Sequence, residues 1–132
     1  LKRITMGFTT PAFIRKNTLE LRKKLERLGY YLHPECIDDD RGNYLFVNRE
    51  YYLNRPLGYS EELSRSIDCG TNEDLFLAIA ALRDDTSANQ YWVFDQDFLP
   101  HYKKGDFTIG HFNRCSCYCH VASVKELIEH FK

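Results

Sequence analysis

A chain of 132 residues with 43% hydrophobic and 28% charged side chains has the size and composition of one folded domain, and its 14% aromatic content excludes a disordered chain. No apolar run approaches the roughly 18 residues of a bilayer-crossing helix, no apolar signal segment opens the sequence, and five cysteines are an odd number for a secreted disulfide framework, so a cytoplasmic, reducing setting is expected. The net charge of −1 hides an asymmetry. Leu1 to Pro34 carries eight Lys or Arg against two acids, whereas Glu35 to Asp106 carries seven against fifteen.

Taken in chain order, the first predicted element is a helix over Asn17–Leu28. Asn17 or Thr18 can cap it, Glu20 completes a capping box with Asn17, and Gly29 stops it. Leu21, Leu25 and Leu28 form its apolar stripe, while Arg22, Lys23, Lys24 and Arg27 occupy its other faces. Strands are expected at Tyr30–His33 and at Tyr44–Asn48, the second after the turn-forming stretch Asp38 to Asn43, with a loop over Asn54–Ser60. Arg65–Cys69 reads as a strand leading into a helix over Asn72–Arg83, capped by Thr71 with Asp74 in the box. Leu75, Phe76, Ile79 and Leu82 line one side of that helix, and Leu77, Ala78, Ala80 and Ala81 leave few polar positions elsewhere. A helix apolar nearly all round is a buried one.

Strands at Tyr91–Asp95 and Phe107–Ile109 follow, separated by a loop over Leu99–Gly105. A strand over Cys115–Val121 runs into a last helix, Val124–Phe131, capped by Ser123 with Glu126 in the box and with Leu127, Ile128 and Phe131 facing inward. The three helix starts recur at similar intervals, as two strand-helix-strand-strand units and a half unit would. Well-capped helices look alike without any duplication, so both readings stand. The fold expected is α+β: three helices packed on a largely antiparallel sheet of five to six strands, with the second helix central.

The stretches Met6 to Lys16, Asp68 to Thr71 and Leu75 to Asp85 resemble small uncharacterised proteins of Bacteroides-type gut bacteria. That resemblance carries no catalytic motif and implies only a bacterial, cytoplasmic accessory protein. Met6 is the sole methionine, so the natural start is open between Leu1 and Met6. Met6-Gly7 is no myristoylation start, because Pro11 stands where Ser or Thr is required.

Four groups of residues bear chemistry. Cys115, Cys117, Cys119 and His120, with His111 upstream, offer zinc's preferred thiolate and imidazole donors. Their single-residue spacing is too tight for a paired-cysteine site. Alternate residues of a strand lie about 6.7 Å apart, against about 3.8 Å between two sulfurs on one zinc. A strand burying three small hydrophobes accounts for them better, and no cofactor is expected.

Cys69, at a strand-to-helix junction, stands where a thiol can be activated, but Asp68 beside it works against a thiolate. Asp84, Asp85, Asp95, Asp97 and Asp106 could gather a divalent cation, although solvated loops explain them more simply. Lys2, Arg3, Arg15, Lys16, Arg22, Lys23, Lys24 and Arg27, followed by Tyr30 and Tyr31, have the composition of a nucleic-acid surface without the signature of any binding motif. The leading reading is a non-enzymatic interaction or accessory module with a protein partner. A nucleic-acid-binding protein using the first helix comes second, and a Cys69 enzyme or a metal protein third.

Overall fold

The structure, a computed structural model, describes residues 11–33, 44–48, 51–53, 64–82, 90–109 and 118–132. Its elements run β1 (Ala12–Ile14), α1 (Leu19–Arg27), β2 (Tyr31–Leu32), β3 (Leu45–Asn48), β4 (Tyr51–Leu53), β5 (Ile67–Asp68), α2 (Glu73–Ala80), β6 (Tyr91–Phe94), β7 (Phe107–Ile109), β8 (Cys119–Val121) and α3 (Val124–His130). The class is α+β, as the sequence implies. The single sheet of five to six strands is not what forms. Among the described residues there are two sheets, one ordered β2-β4-β3-β1-β5 and one ordered β7-β6-β8.

The division follows from α2. β1 lies inside the first sheet, antiparallel to β3 and parallel to β5. β5 is two residues long and runs almost at once into α2, and among the described residues it ends that sheet and the strands after α2 pair only with one another. A helix without a polar side needs cover in more than one direction. Ala12, Ile14, Leu45 and Val47 of the first sheet and Val93 of the second belong to the same buried cluster as Leu75 to Ala81. All six residues from Leu75 to Ala80 are buried, which makes α2 the core helix that its composition implies.

At α1 the cap is Thr18, one of the two residues that the sequence offers: its hydroxyl accepts from the Leu21 amide at 3.1 Å, and the box of Glu20 with Asn17 does not form. At α2 the cap is Asn72 rather than Thr71. Its Oδ1 accepts from the Leu75 amide at 3.1 Å, while its Nδ2 donates to the Phe131 carbonyl at 2.8 Å. A threonine has no second arm for that contact, so the amide side chain joins the start of α2 to the end of α3. The capping box of Ser123 and Glu126 forms as expected.

Gly29 stops α1 in a Schellman motif, at φ 103°, with Tyr30 N–H donating to the Leu25 carbonyl at 3.1 Å and Gly29 N–H to Glu26 at 3.0 Å. The motif turns Tyr30 inward, where its hydroxyl donates to the carbonyl of Ala80 at 2.8 Å and satisfies the end of α2.

Two strands have no counterpart in the sequence reading. β1 is buried at all three positions, so no alternation betrays it, and β4 is three residues long. In α3, Leu127 is buried and Val124 and Phe131 pack on the core, a helical stripe that leaves Ile128 outside. The order strand-helix-strand-strand-strand does occur twice, but the pairing does not repeat: β3 lies between β4 and β1, whereas β6 lies between β7 and β8. The expected Asp38–Asn43 turn and the Asn54–Ser60 loop lie outside the described residues.

Replacing Ile79, fully buried on α2, with Ala will lower stability by about 2–5 kcal/mol in a urea titration. Ile128→Ala, on the outer side of α3, will change it by less than about 0.5 kcal/mol. Equal losses in the two variants would contradict this placement of the core.

Candidate functional site

Among the described residues the chemistry-bearing groups do not converge. Cys69 is buried just after β5, its amide bonded to the Phe13 carbonyl at 2.9 Å and its Sγ 3.9 Å from the carbonyl oxygen of Ile67. Burial first, and then the charge of Asp68, push its thiol up to about 12. Such a thiol supplies no thiolate at neutral pH. Cys119 is buried opposite Phe94, while His120, the next residue of the strand, points to the other face and is exposed. Adjacent strand positions cannot share one tetrahedral ion without a bend. Among the described residues no group of three His, Cys, Asp or Glu side chains is arranged to hold a metal ion. Cys115, Cys117 and His111 lie outside those residues, as do Asp84, Asp85, Lys2 and Arg3.

The remaining acids close structure locally. Asp97 accepts from the Lys104 amide and Asp106 from the Lys103 amide, both at 2.9 Å, and these bonds order the β6–β7 connection. Asp95 holds His120 Nδ1 at 2.6 Å, and Glu126 of the α3 capping box holds His120 Nε2 at 3.0 Å. Partial burial is the largest single influence on the imidazole and lowers its pKa. The hydrogen bonds and charges of Asp95 and Glu126 together outweigh it and leave the pKa above the usual histidine value.

The basic residues divide into two groups. Arg15 Nη1 donates to both carboxylate oxygens of Asp68 at 2.6 Å, which holds that carboxyl below its usual range against the opposing effect of burial. Lys16 Nζ donates to Glu73. Both acids belong to the second strand-helix junction, so this part of the basic segment is neutralised inside the molecule. On α1, Lys24 lies 3.6 Å from Glu20. Lys23 is exposed, Arg22 is half-buried, and Lys24 and Arg27 stand in the last turn, where cations match the helix dipole.

Those two last-turn cations rim a feature that gathers several elements. A cleft of about 400 Å³ opens between α1, α2 and the second sheet. Lys24, Arg27 and Leu28 form its α1 wall, Asp74, Leu77 and Ala78 its α2 wall, and Tyr91 and Ile109 its sheet side. The volume falls within the range of ligand sites, and an apolar floor with a few polar groups is their usual lining. The cleft is polarised. Two cations stand on α1, whereas on the opposite wall Asp74 adds its charge to burial, the larger effect, in raising the Tyr91 hydroxyl above its usual range.

Tyr91 and Ile109 were read only as strand residues and Asp74 only as part of a helix cap; the signal for the cleft was the surplus of apolar residues on α2, of which Leu77 and Ala78 line it. Comparison with protein-family models, curated proteins and solved structures gives no match for this chain. Among the described residues, no helix is long and apolar enough to cross a membrane.

The His120 bridge gives stability a pH dependence of definite sign. Its folded pKa is raised, so its contribution is complete below the unfolded value of about 6.5 and is lost as pH rises through the folded value. Urea midpoints at pH 5.5 and pH 9 check this. His120→Gln will lower the midpoint at pH 5.5 and leave it nearly unchanged at pH 9, and an equal loss at both pH values would contradict the charged bridge.

Proposed function

We propose that this chain is a non-enzymatic interaction module whose cleft receives a segment of a partner protein carrying an apolar and an acidic side chain. The observation behind this reading is the lining of the cleft: exposed Ile109, over a floor of the buried Leu28, Leu77 and Ala78, stands beside the cations of Lys24 and Arg27. Arg27 is exposed and stands at the last turn of α1, where it can meet a carboxylate from outside. A catalytic reading has little to stand on. Cys69 is a buried, protonated thiol, and both His120 nitrogens are held by carboxylates.

Binding of nucleic acid through α1 is the second reading, since Lys23, Lys24 and Arg27 share that helix. It is weakened by the internal pairing of Arg15 and Lys16, which removes two of the six described cations that would contact phosphates. A cytoplasmic, bacterial setting fits either reading and belongs to the same proposal.

The test is titration of isotope-labelled protein with a blocked heptapeptide, Thr-Leu-Thr-Glu-Thr-Leu-Thr, and separately with duplex and single-stranded oligonucleotides. The peptide will shift the resonances of Leu77, Ala78 and Tyr91, and Arg27→Glu will weaken it about tenfold or more. Oligonucleotide binding that is tighter than peptide binding, falls over a hundredfold between about 50 and 200 mM salt and vanishes in Arg27→Glu would transfer the function to the second reading.

A further inference from the structure

The cleft borders β7 through Ile109. Among the described residues β7 pairs with β6 alone and has no neighbour on its other side. The hydrogen bonds of the ladder fix which of its backbone groups face outward. Phe94 donates to the Asp106 carbonyl at 3.0 Å and accepts from the Gly105 amide at 2.8 Å, a G1 bulge with Gly105 at φ 93°.

From that bonded pair the antiparallel ladder alternates, so Thr108 turns its N–H and C=O toward Trp92, while Phe107 and Ile109 turn theirs away from β6. The other side of β6 obeys the same count. The Tyr91 carbonyl accepts from Ala122 at 2.9 Å and the Asp95 amide donates to Tyr118 at 2.7 Å, so the odd-numbered residues of β6 serve β8 and the even-numbered ones serve β7. The bulge and the β6 pairing hold β7 in register. Ile109 lines the cleft and is 46% exposed.

We propose that the partner segment binds as an added strand along the outer edge of β7, its main chain pairing with Phe107 and Ile109. Residues spaced two apart then face the cleft together, one apolar side chain over Leu77 and one carboxylate toward Arg27. This rests on the cleft being the binding site, and it assigns the mode and the ligand class: an extended acidic-apolar peptide rather than a helix or a folded surface. The edge supplies sequence-independent affinity, and the cleft supplies the selection. The polarity of the cleft sets the preference, because the cations stand on the α1 wall and Asp74 on the other, so a basic side chain in the same register is rejected at Arg27.

The experiment is an N-methyl scan of the Thr-Leu-Thr-Glu-Thr-Leu-Thr peptide, titrated into the full chain and read by tryptophan fluorescence and by amide resonances. Methylation will weaken binding about tenfold at alternate positions only, those whose N–H faces β7, and the Phe107 and Ile109 amide protons will move downfield. A Lys-for-Glu peptide will bind at least tenfold more weakly than the parent, and Arg27→Glu will reverse that order. If methylation has no alternating effect while Arg27→Glu still weakens the parent peptide, the added strand is overturned and the cleft reading survives. No binding of the parent peptide at 5 mM to wild-type protein with a native amide spectrum overturns both.

Discussion

The six buried residues from Leu75 to Ala80 set the terms for the rest of the molecule. A helix with one polar side can lie on a sheet, but α2 has almost none, so its whole circumference must be taken from water. At about 25 cal/mol per Å² of apolar surface, leaving one side open would forfeit several kilocalories per mole. β1 covers one side, α1 and α3 flank it, and the second sheet contributes Val93 and Tyr91 to the same cluster. Burying a helix also buries its ends, whose backbone groups must then find partners. Asn72 at one end and the Tyr30 hydroxyl at the other meet that need, and each does so by reaching a distant part of the chain. The contacts that satisfy α2 are therefore the same ones that fix α1 and α3 around it.

The surface chemistry follows from this packing. β1 and β5 run parallel and side by side, and each leads into a helix, so the two junctions lie next to each other. Arg15 meets Asp68 there and Lys16 meets Glu73, bringing the basic start of the chain against its acidic middle. Exposed pairs of this kind contribute at most about 1 kcal/mol each, so their greater effect is on charge: they neutralise the near end of the basic segment and leave cations at the last turn of α1. That turn stands at the mouth of the cleft, over the buried Leu77 and Ala78, and the same cleft brings Ile109 of β7 into reach. The candidate site is thus a consequence of covering an apolar helix, among the described residues, with two other short helices and two small sheets.

Much of this was legible in the sequence where a local rule decides the outcome. The unbroken apolar composition of α2, the Ser123–Glu126 box, the stop at Gly29 and the strand at Phe107–Ile109 each depend on neighbouring residues alone. Cap choice between adjacent candidates was not legible, because Asn72 is preferred over Thr71 through a bond to Phe131, 59 residues away. Nor was β1, whose Ala12, Phe13 and Ile14 are buried on both faces and show no period. The split into two sheets depends on which strands pair across α2, which composition does not encode. The cleft has the same origin: Lys24 and Arg27 were visible as cations, but their meeting with Tyr91 and Ile109 arises from packing over more than sixty residues of chain.

Native-state hydrogen exchange on the whole chain tests the central role of α2 most directly. The account predicts that the amides of Leu77 to Ala80 exchange only through global unfolding, with the same denaturant dependence as the amides of β3 and of Val93, because both sheets depend on that helix for their cover. If the α2 amides exchanged by a smaller opening while either sheet stayed protected, the helix would be an ornament on an independently stable sheet, and the account would be wrong.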